Sequence, residues 1–364
     1  TFRSSHTKTK EELDVQLGQV NLYSRLLDES NTVVKSVDKQ LKRLQEGWKI
    51  RSNDIELLEK VGAGTFANVY RGKWKALDQI DVAIKCLIPN PETKDSVFGE
   101  NETKVLQSLR HPNLVLMFGA GNFSNTLEQF IVTEYVGGGD LSKVLREEKK
   151  QGIPPFPVRK RAVYIRDIVE GMRFLHEAGF LHRDLKAANV LCTTGGRCKI
   201  TDFGLSRENQ ASKVEKIRRM SRSVPSYESV TINVHAHINS TKVDMTSFMG
   251  SILWMAPEVM HERSSKYNEL VDVFSFGMVV YEIITSHVPW EDDPNIKDIE
   301  DVIDAIESGK RPHCPKAKVL GFPPYFQDLM EKCWDSDSDK RPTFEEISVW
   351  LEKGEWTINF ASLK

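Results

Sequence analysis

The chain has 364 residues, enough for two domains or for one two-lobed enzyme with an extension. Its 40% hydrophobic and 28% charged content is that of a globular chain, and a net charge of −2 speaks against nucleic-acid binding through overall charge. No apolar run reaches the ~18 residues of a membrane span, no secretory leader is expected, and the five cysteines form no CxxC pair, so they read as reduced thiols of a cytosolic, cytoplasmic protein.

The chain opens on Thr1 rather than Met and is read as an excised part of a longer protein. From Lys8 to Glu46 it is rich in helix formers and lacks Pro. Leu13, Val20, Leu27, Val34, Leu41 and Trp48 recur every seven residues, and Val37 and Leu44 fill intermediate positions. That spacing predicts an amphipathic helix or a coiled coil. Ser24 and Asn31 interrupt the seam. Packing on its own chain and pairing with another copy or partner are both open.

From Ile55 the pattern changes. Ile55 to Val61, Asp81 to Leu87 and Phe130 to Tyr135 are short and rich in β-formers, and predict strands. A helix from Phe98 to Leu109 lies between them. After Gly137-Gly138-Gly139 the chain turns helical. Ile165, Ile168, Val169, Met172 and Leu175 follow helical spacing, and Val271 to Ile284 reads as a buried helix. A β-rich lobe thus precedes an α-rich lobe, and the glycine joint between them is where a cleft would form.

The glycine segment Gly62-Ala63-Gly64-Thr65-Phe66-Ala67-Asn68-Val69 lies between two predicted strands, which argues against a dinucleotide-binding fold. Alone, it fits an ordinary hairpin turn as readily as a phosphate loop. Lys85 sits in the apolar strand Val82-Ala83-Ile84-Lys85 and wants an anion. Glu102 falls on the face that carries Phe98 and Leu106, where a carboxylate is costly unless paired. Glu102 is therefore the expected partner of Lys85, with Glu100 as runner-up.

Next comes Leu181-His182-Arg183-Asp184-Leu185-Lys186-Ala187-Ala188-Asn189, followed by Thr201-Asp202-Phe203-Gly204. These runs resemble the catalytic loop and metal-binding loop of eukaryotic protein kinases. Trp254-Met255-Ala256-Pro257-Glu258 resembles the end of the activation segment. The resemblance covers Trp48 to Glu352, and its order and spacing make it specific. It implies an α+β, bilobal protein kinase fold with a small β-rich N-lobe (48–136) and a larger helical C-lobe (137–355). Around that domain would lie the helical extension (1–47), an activation-loop insert (208–246) and a tail (356–364).

The resemblance also implies roles for residues. Asp184 would be the base that accepts the substrate hydroxyl proton, and Lys186 would neutralise charge on the transferred phosphoryl group. Asn189 and Asp202 would hold Mg²⁺ through hard oxygens. Lys85, tied to Glu102, would hold the ATP phosphates beneath the loop from Val61 through Gly62, Ala63, Gly64, Thr65, Phe66, Ala67 and Asn68 to Val69. Ala67 replaces the third glycine of the family pattern. Val69 and Ala83 above and Leu191 below would sandwich adenine. Thr133 would be the gatekeeper, Glu134 and Val136 the hinge, and Asp140 a contact to ribose. His182 and Phe203 would stack with Leu106 and Met117. Glu258 would pair with Arg341, and Asp272 would brace the catalytic loop.

Lys186, two residues after Asp184, and the hydroxyl of Ser251 in Gly250-Ser251-Ile252-Leu253-Trp254 resemble serine/threonine kinases. Trp48-Lys49-Ile50 and Arg71-Gly72-Lys73-Trp74 most resemble the tyrosine-kinase-like group, the Raf and mixed-lineage kinases. The expected partners are protein substrates with Ser or Thr and an upstream kinase acting on the activation loop. A homo- or hetero-oligomer through the N-terminal helix is a further expectation; nucleic acid and a membrane span are not. Dual or tyrosine specificity and a pseudokinase scaffold are the alternatives, and a phosphate-binding metabolic enzyme of another fold is a remote third. Asp202 to Glu258 is longer than is usual for the family. From Arg207 to Arg222 it holds six Lys/Arg against two Glu. Arg218-Arg219-Met220-Ser221 looks like a site for a basophilic kinase, and phosphate on Ser221, Thr246 or Ser247 would meet Arg183. A solvated insert without regulatory role is equally open.

Overall fold

A computed structural model describes residues 48–64, 67–88, 103, 106–107, 109–124, 128–151, 158–208, 251–260, 268–315 and 322–352. The predicted N-terminal helix, most of the predicted 98–109 helix with Glu100 and Glu102, Thr65, Phe66, the 209–250 segment with its three candidate phosphosites, and the tail lie outside them.

Five antiparallel strands form the upper lobe: β1 (Ile55–Ala63), β2 (Ala67–Trp74), β3 (Ile80–Leu87), β4 (Met117–Asn122) and β5 (Gln129–Glu134), in the order β1-β2-β3-β5-β4. β2 and β4 add to the three strands predicted. The period-2 alternation of β3 and β5 decides what each face does. Val82, Ile84, Phe130 and Val132 point one way and form a small core with Ile50 and Ile55. The register Val69↔Lys85↔Ile131 and Arg71↔Ala83↔Thr133 puts Val69, Ala83, Lys85 and Thr133 on the opposite face. Trp48–Ile50 zips onto β4 through Ile50 N to Ala120 O and Ala120 N to Trp48 O, both 2.9 Å. Gly121 permits this approach, because a Cβ there would run into the Ile50 carbonyl.

The lower lobe is helical: α1 (Leu141–Lys150), α2 (Val158–Glu177), α3 (Pro257–Met260), α4 (Leu270–Thr285), α5 (Ile299–Glu307), α6 (Pro324–Cys333) and α7 (Phe344–Glu352). α2 buries Ile165, Ile168, Val169, Met172 and Leu175, the predicted stripe. α4 is buried on all sides from Leu270 to Ile284, as its mostly apolar sequence demands, with Asp272, Ser275 and Glu282 buried among the apolar side chains. It ends where Ser286 takes a left-handed backbone and returns its N–H to Glu282 O at 2.8 Å. Short hairpins β6 (Phe180–Leu181) with β9 (Arg207–Glu208), and β7 (Val190–Cys192) with β8 (Cys198–Ile200), cover the lobe's upper side. No helix among the described residues is long and apolar enough to cross a membrane. All five cysteines are free thiols.

Backbone contacts join the lobes. Val115 N donates to Ile200 O at 2.9 Å, and Ile200 N to Asn113 O at 2.8 Å. The glycine joint docks on β7: Gly138 N donates to Cys192 O and Cys192 N to Gly139 O. Gly139 has φ +80°, and a Cβ on Gly138 would strike the Cys192 carbonyl. Two of the three glycines are thus required by the backbone there.

Candidate active site

Two turns of the lower lobe and one strand of the upper lobe build the site. The hairpin β7–β8 continues one step past Val190↔Ile200, with Thr201 N bonded to Asn189 O at 3.0 Å. Asn189 and Asp202 are thereby held side by side at its open end. Asp202 has φ +65°, a conformation disfavoured for a residue with a side chain. Its Oδ1 lies 2.8 Å from Lys85 Nζ, which reaches down from β3. The Lys85 ammonium holds the Asp202 carboxyl below the usual aspartate range. Glu102, the expected partner of Lys85, lies outside the described residues.

Asp184 sits in the turn between β6 and the single 3₁₀ turn Ala187–Asn189. Buried Asn189 donates Nδ2 to Asp184 O and to Asp184 Oδ2, both at 2.7 Å. Its amide oxygen makes no hydrogen bond among the described residues. Lys186 Nζ lies 3.0 Å from Asp184 Oδ2 and 2.8 Å from Ser251 Oγ. One ammonium therefore ties the Asp184 carboxylate to the hydroxyl that follows the long insert.

The support beneath this turn is buried and fully bonded. Asp272, on the first turn of α4, accepts from His182 N at 2.8 Å, Arg183 N at 2.7 Å and His176 Nε2 at 2.8 Å. This is the bracing role expected of it. Arg183 has φ +68°, so the turn is held where an unsupported chain would relax. His182 accepts from Asp184 N on Nδ1 and meets Thr201 O with Nε2 at 3.0 Å, which spans the two turns. Its ring lies edge-on to Phe203 at 5.2 Å. Leu106 and Met117 are buried in the same cluster as Phe203. Arg341 grips Glu258 with both guanidinium nitrogens, at 2.6 and 3.0 Å.

The remaining predicted contacts fall around this centre. Val61, Gly62 and Ala63 close β1; Gly64 N bonds to Ala67 O at 2.9 Å and shuts the turn over the two undescribed residues. Gly62 faces Val69 and Ala63 faces Asn68 across the ladder. Ala67 is buried, so a methyl fits where the family pattern has glycine. Thr133 and Glu134 end β5, Val136 is buried just beyond, and Leu191 lies in β7. Glu134 N donates to Leu116 O at 2.9 Å, which occupies the backbone donor of one expected hinge residue. Asp140 caps α1: its Oδ1 accepts from Lys143 N at 2.9 Å and its Oδ2 lies 3.0 Å from Lys143 Nζ. Much of its hydrogen-bonding capacity is spent on the helix.

Two buttresses were not anticipated. Glu282, buried on α4, accepts from Ala187 N at 3.0 Å and from Trp254 Nε1 at 2.7 Å. Burial pushes its carboxyl up to about 7. The clue was visible: a glutamate in an otherwise apolar helix must be bonded to something. Glu134 Oε1 accepts from Leu116 N and Lys199 Nζ, both at 2.8 Å, linking the hinge to β8. No local pattern announces that pair.

What the centre offers chemically is two hard oxygen donors at the hairpin end, a carboxylate beside a bound lysine, and a second lysine arriving from above. Curated proteins share this chain's sequence broadly. A "Dual specificity protein kinase splA" of Dictyostelium discoideum is 33% identical over 330 residues, covering 85% of the chain and 12% of that protein. "Serine/threonine-protein kinase VIK" of Arabidopsis thaliana is 31% identical over 319 residues, covering 85% and 63%. "Putative serine/threonine-protein kinase/receptor R831" of Acanthamoeba polyphaga mimivirus is 30% identical over 307 residues, covering 84% and 16%. The chain thus spans less than two thirds of each of these relatives. The protein kinase domain family matches residues 55–350, and the chain belongs to that family.

Proposed function

We propose that the chain transfers the γ-phosphoryl group of ATP to Ser and Thr hydroxyls of proteins. The observation that carries this reading is the set of contacts Lys85–Asp202, Asn189–Asp184 and Lys186–Ser251, which gathers three loops and a strand around one point. Asp184 accepts the hydroxyl proton, and Lys186 carries developing negative charge. Lys85, with Glu102, positions the phosphates; the loop from Val61 to Val69 covers them. Ala83, Thr133, Glu134, Val136 and Leu191 hold the base, and Asp140 lies towards the ribose.

The residues also fit a divalent cation. Asn189 presents its amide oxygen, since its nitrogen is taken by Asp184, and Asp202 presents a carboxylate kept ionised by Lys85. Bound there, Mg²⁺ supplies charge neutralisation to the phosphates. Two protein ligands suffice where phosphate and water complete the shell.

Ser/Thr preference is supported by the Lys186–Ser251 contact, in which the lysine beside the proposed base also holds a hydroxyl, and by the names of the relatives. The name of the Dictyostelium relative keeps dual specificity as the second reading. We assign the chain to the tyrosine-kinase-like group on Trp48-Lys49-Ile50 and Arg71-Gly72-Lys73-Trp74. The proposed layout is a helical extension (1–47), a kinase domain (48–355) and a tail, with signalling activity switched by phosphate on Ser221, Thr246 or Ser247 pairing with Arg183. Full activity after replacing all three by Ala overturns that switch. An unchanged mass in solution on removing residues 1–47 overturns oligomerisation through the extension. For the activity itself, labelled-ATP transfer by wild type is compared with Asp184→Asn; a loss of roughly 100-fold or more is expected. Equal labelling rejects the mechanism.

A further inference from the structure

At the C-terminal end of α4, beside Glu282, lies a cavity of about 150 Å³, walled by Tyr281, His287, Trp290, Asp292, Asp293 and His313. The site described above does not use it. Trp290 is 4% exposed, and its indole N–H has no acceptor among the described residues. A buried donor of this kind wants an acceptor from whatever fills the space. The carboxylates on the rim are partly spoken for. Asp292 Oδ2 pairs with His287, which Lys149 also approaches at 3.1 Å. Asp293 Oδ1 accepts from Asn295 N and Nδ2. Asp292 Oδ1 and Asp293 Oδ2 accept nothing among the described residues.

From this rim an acidic strip continues along α5. Between Val288 and Glu307 the sequence holds eight Asp/Glu and a single Lys. Glu291, Asp292, Asp298, Glu300, Asp304 and Glu307 are exposed. α5 turns its apolar side inward through Val302, Ala305 and Ile306. A buried donor and two aromatic walls, bordered by unspent carboxylates, suit a peptide whose backbone carbonyl meets the indole. A lysine or arginine of that peptide would meet the acids and the rings.

The chain itself carries such a peptide. Lys213, Lys216, Arg218, Arg219 and Arg222 surround Ser221, with only Glu215 opposing them. α4 meets the catalytic turn twice, at Asp272 under Arg183 and at Glu282 under Ala187, and Thr285 on the cavity wall lies thirteen and three residues beyond these, about 20 and 4.5 Å along the helix. An extended chain covers the longer of these spans in about six residues. With Ser221 at Asp184, Arg218, Lys216 and Lys213 therefore fall within reach of the cavity.

We propose that this cavity and the α5 strip dock the basic 213–222 segment of a second copy of this chain, with Ser221 presented to Asp184. The proposal rests on the kinase reading for its consequence, but its binding test does not. A labelled peptide of residues 211–224 is titrated with the full chain, without nucleotide, and followed by fluorescence anisotropy. Asp292→Asn with Asp293→Asn should weaken binding about 10-fold, and Trp290→Phe should weaken it also. Added salt should do the same. A peptide with Lys213→Ala and Lys216→Ala should bind weakly to wild type and lose little more with the variant. In a transfer assay, KM for the basic peptide should rise in the Asp variant with kcat unchanged, while a neutral Ser peptide is unaffected. Unchanged affinity in either variant, or equal affinity for both peptides, overturns the docking proposal. Docking with transfer to the neutral Ser peptide but none to the basic one would overturn the presentation of Ser221, whereas docking with transfer to neither would overturn the kinase reading and leave the binding site standing.

Discussion

Lys85 Nζ and Asp202 Oδ1 lie 2.8 Å apart, although 117 residues separate them in the chain. One arrives on a strand of the upper lobe, the other in a left-handed turn of the lower. The pair therefore ties a strand of the upper lobe to the charge state of a carboxylate in the lower. Lys85→Met should lower kcat by about 100-fold or more, by analogy with loss of other preorganised charge stabilisers. Asp202 is held below the usual aspartate range by Lys85, so its ionised form favours the fold. That contribution is present above the unfolded value near 3.9 and is lost as pH falls through the lowered folded value. Lys85→Met should therefore move the onset of acid unfolding, followed by circular dichroism, to higher pH. An unchanged onset would show that the contact contributes nothing to stability.

Ser251 should matter through Lys186. Removing its hydroxyl frees an ammonium that is 2.8 Å away and lets it drift from Asp184. Ser251→Ala should reduce kcat about 10-fold with a smaller change in KM for ATP, and Ser251→Thr should restore most of it. Steady-state kinetics on one Ser peptide decide this; equal kcat in wild type and Ala variant refutes the role.

Glu282 sets a pH dependence of stability. Its carboxyl rises from about 4.5 to about 7 on burial, so the folded protein holds a proton that the unfolded chain releases. Its stabilising contribution is complete below about 4.5 and is lost as pH rises through about 7. Glu282→Gln keeps an acceptor for Ala187 N and Trp254 Nε1 but cannot ionise. Urea midpoints between pH 4.5 and 8 should fall with pH in wild type and flatten in the variant. Parallel curves would reject the assignment.

Arg341 is fully buried and holds Glu258 with two nitrogens. Arg341→Met leaves the Glu258 carboxylate without that partner and should cost about 3–5 kcal/mol, read as a lowered urea midpoint. Arg341→Lys should recover little, because a single ammonium cannot reproduce the fork. Full recovery by Lys would show that charge alone matters.

Legibility in the sequence followed the range of the interaction. The apolar stripe of α2 was readable because helical burial repeats every three or four residues, and α4 because its run is mostly apolar, interrupted at Ser275 and Glu282. β2 was read only as a strand end at Arg71–Trp74, and β4 was missed: Met117–Asn122 carries two glycines, and their reason is the close passage of the Trp48–Ile50 backbone. Asp184, Lys186, Asn189 and Asp202 were legible from two short runs. The ties of Glu282 to Ala187 and of Glu134 to Lys199 were not, since each joins residues 95 or 65 positions apart with no motif between.

By itself the sequence determined which groups could do chemistry and in what order the two lobes follow, because side-chain identity and hydrophobic period are local properties. Only the tertiary structure decided that Lys85 meets Asp202, that Glu282 meets Ala187, and that Lys186 meets Ser251. Those outcomes depend on distances set by packing across the whole core, which no local run of residues encodes.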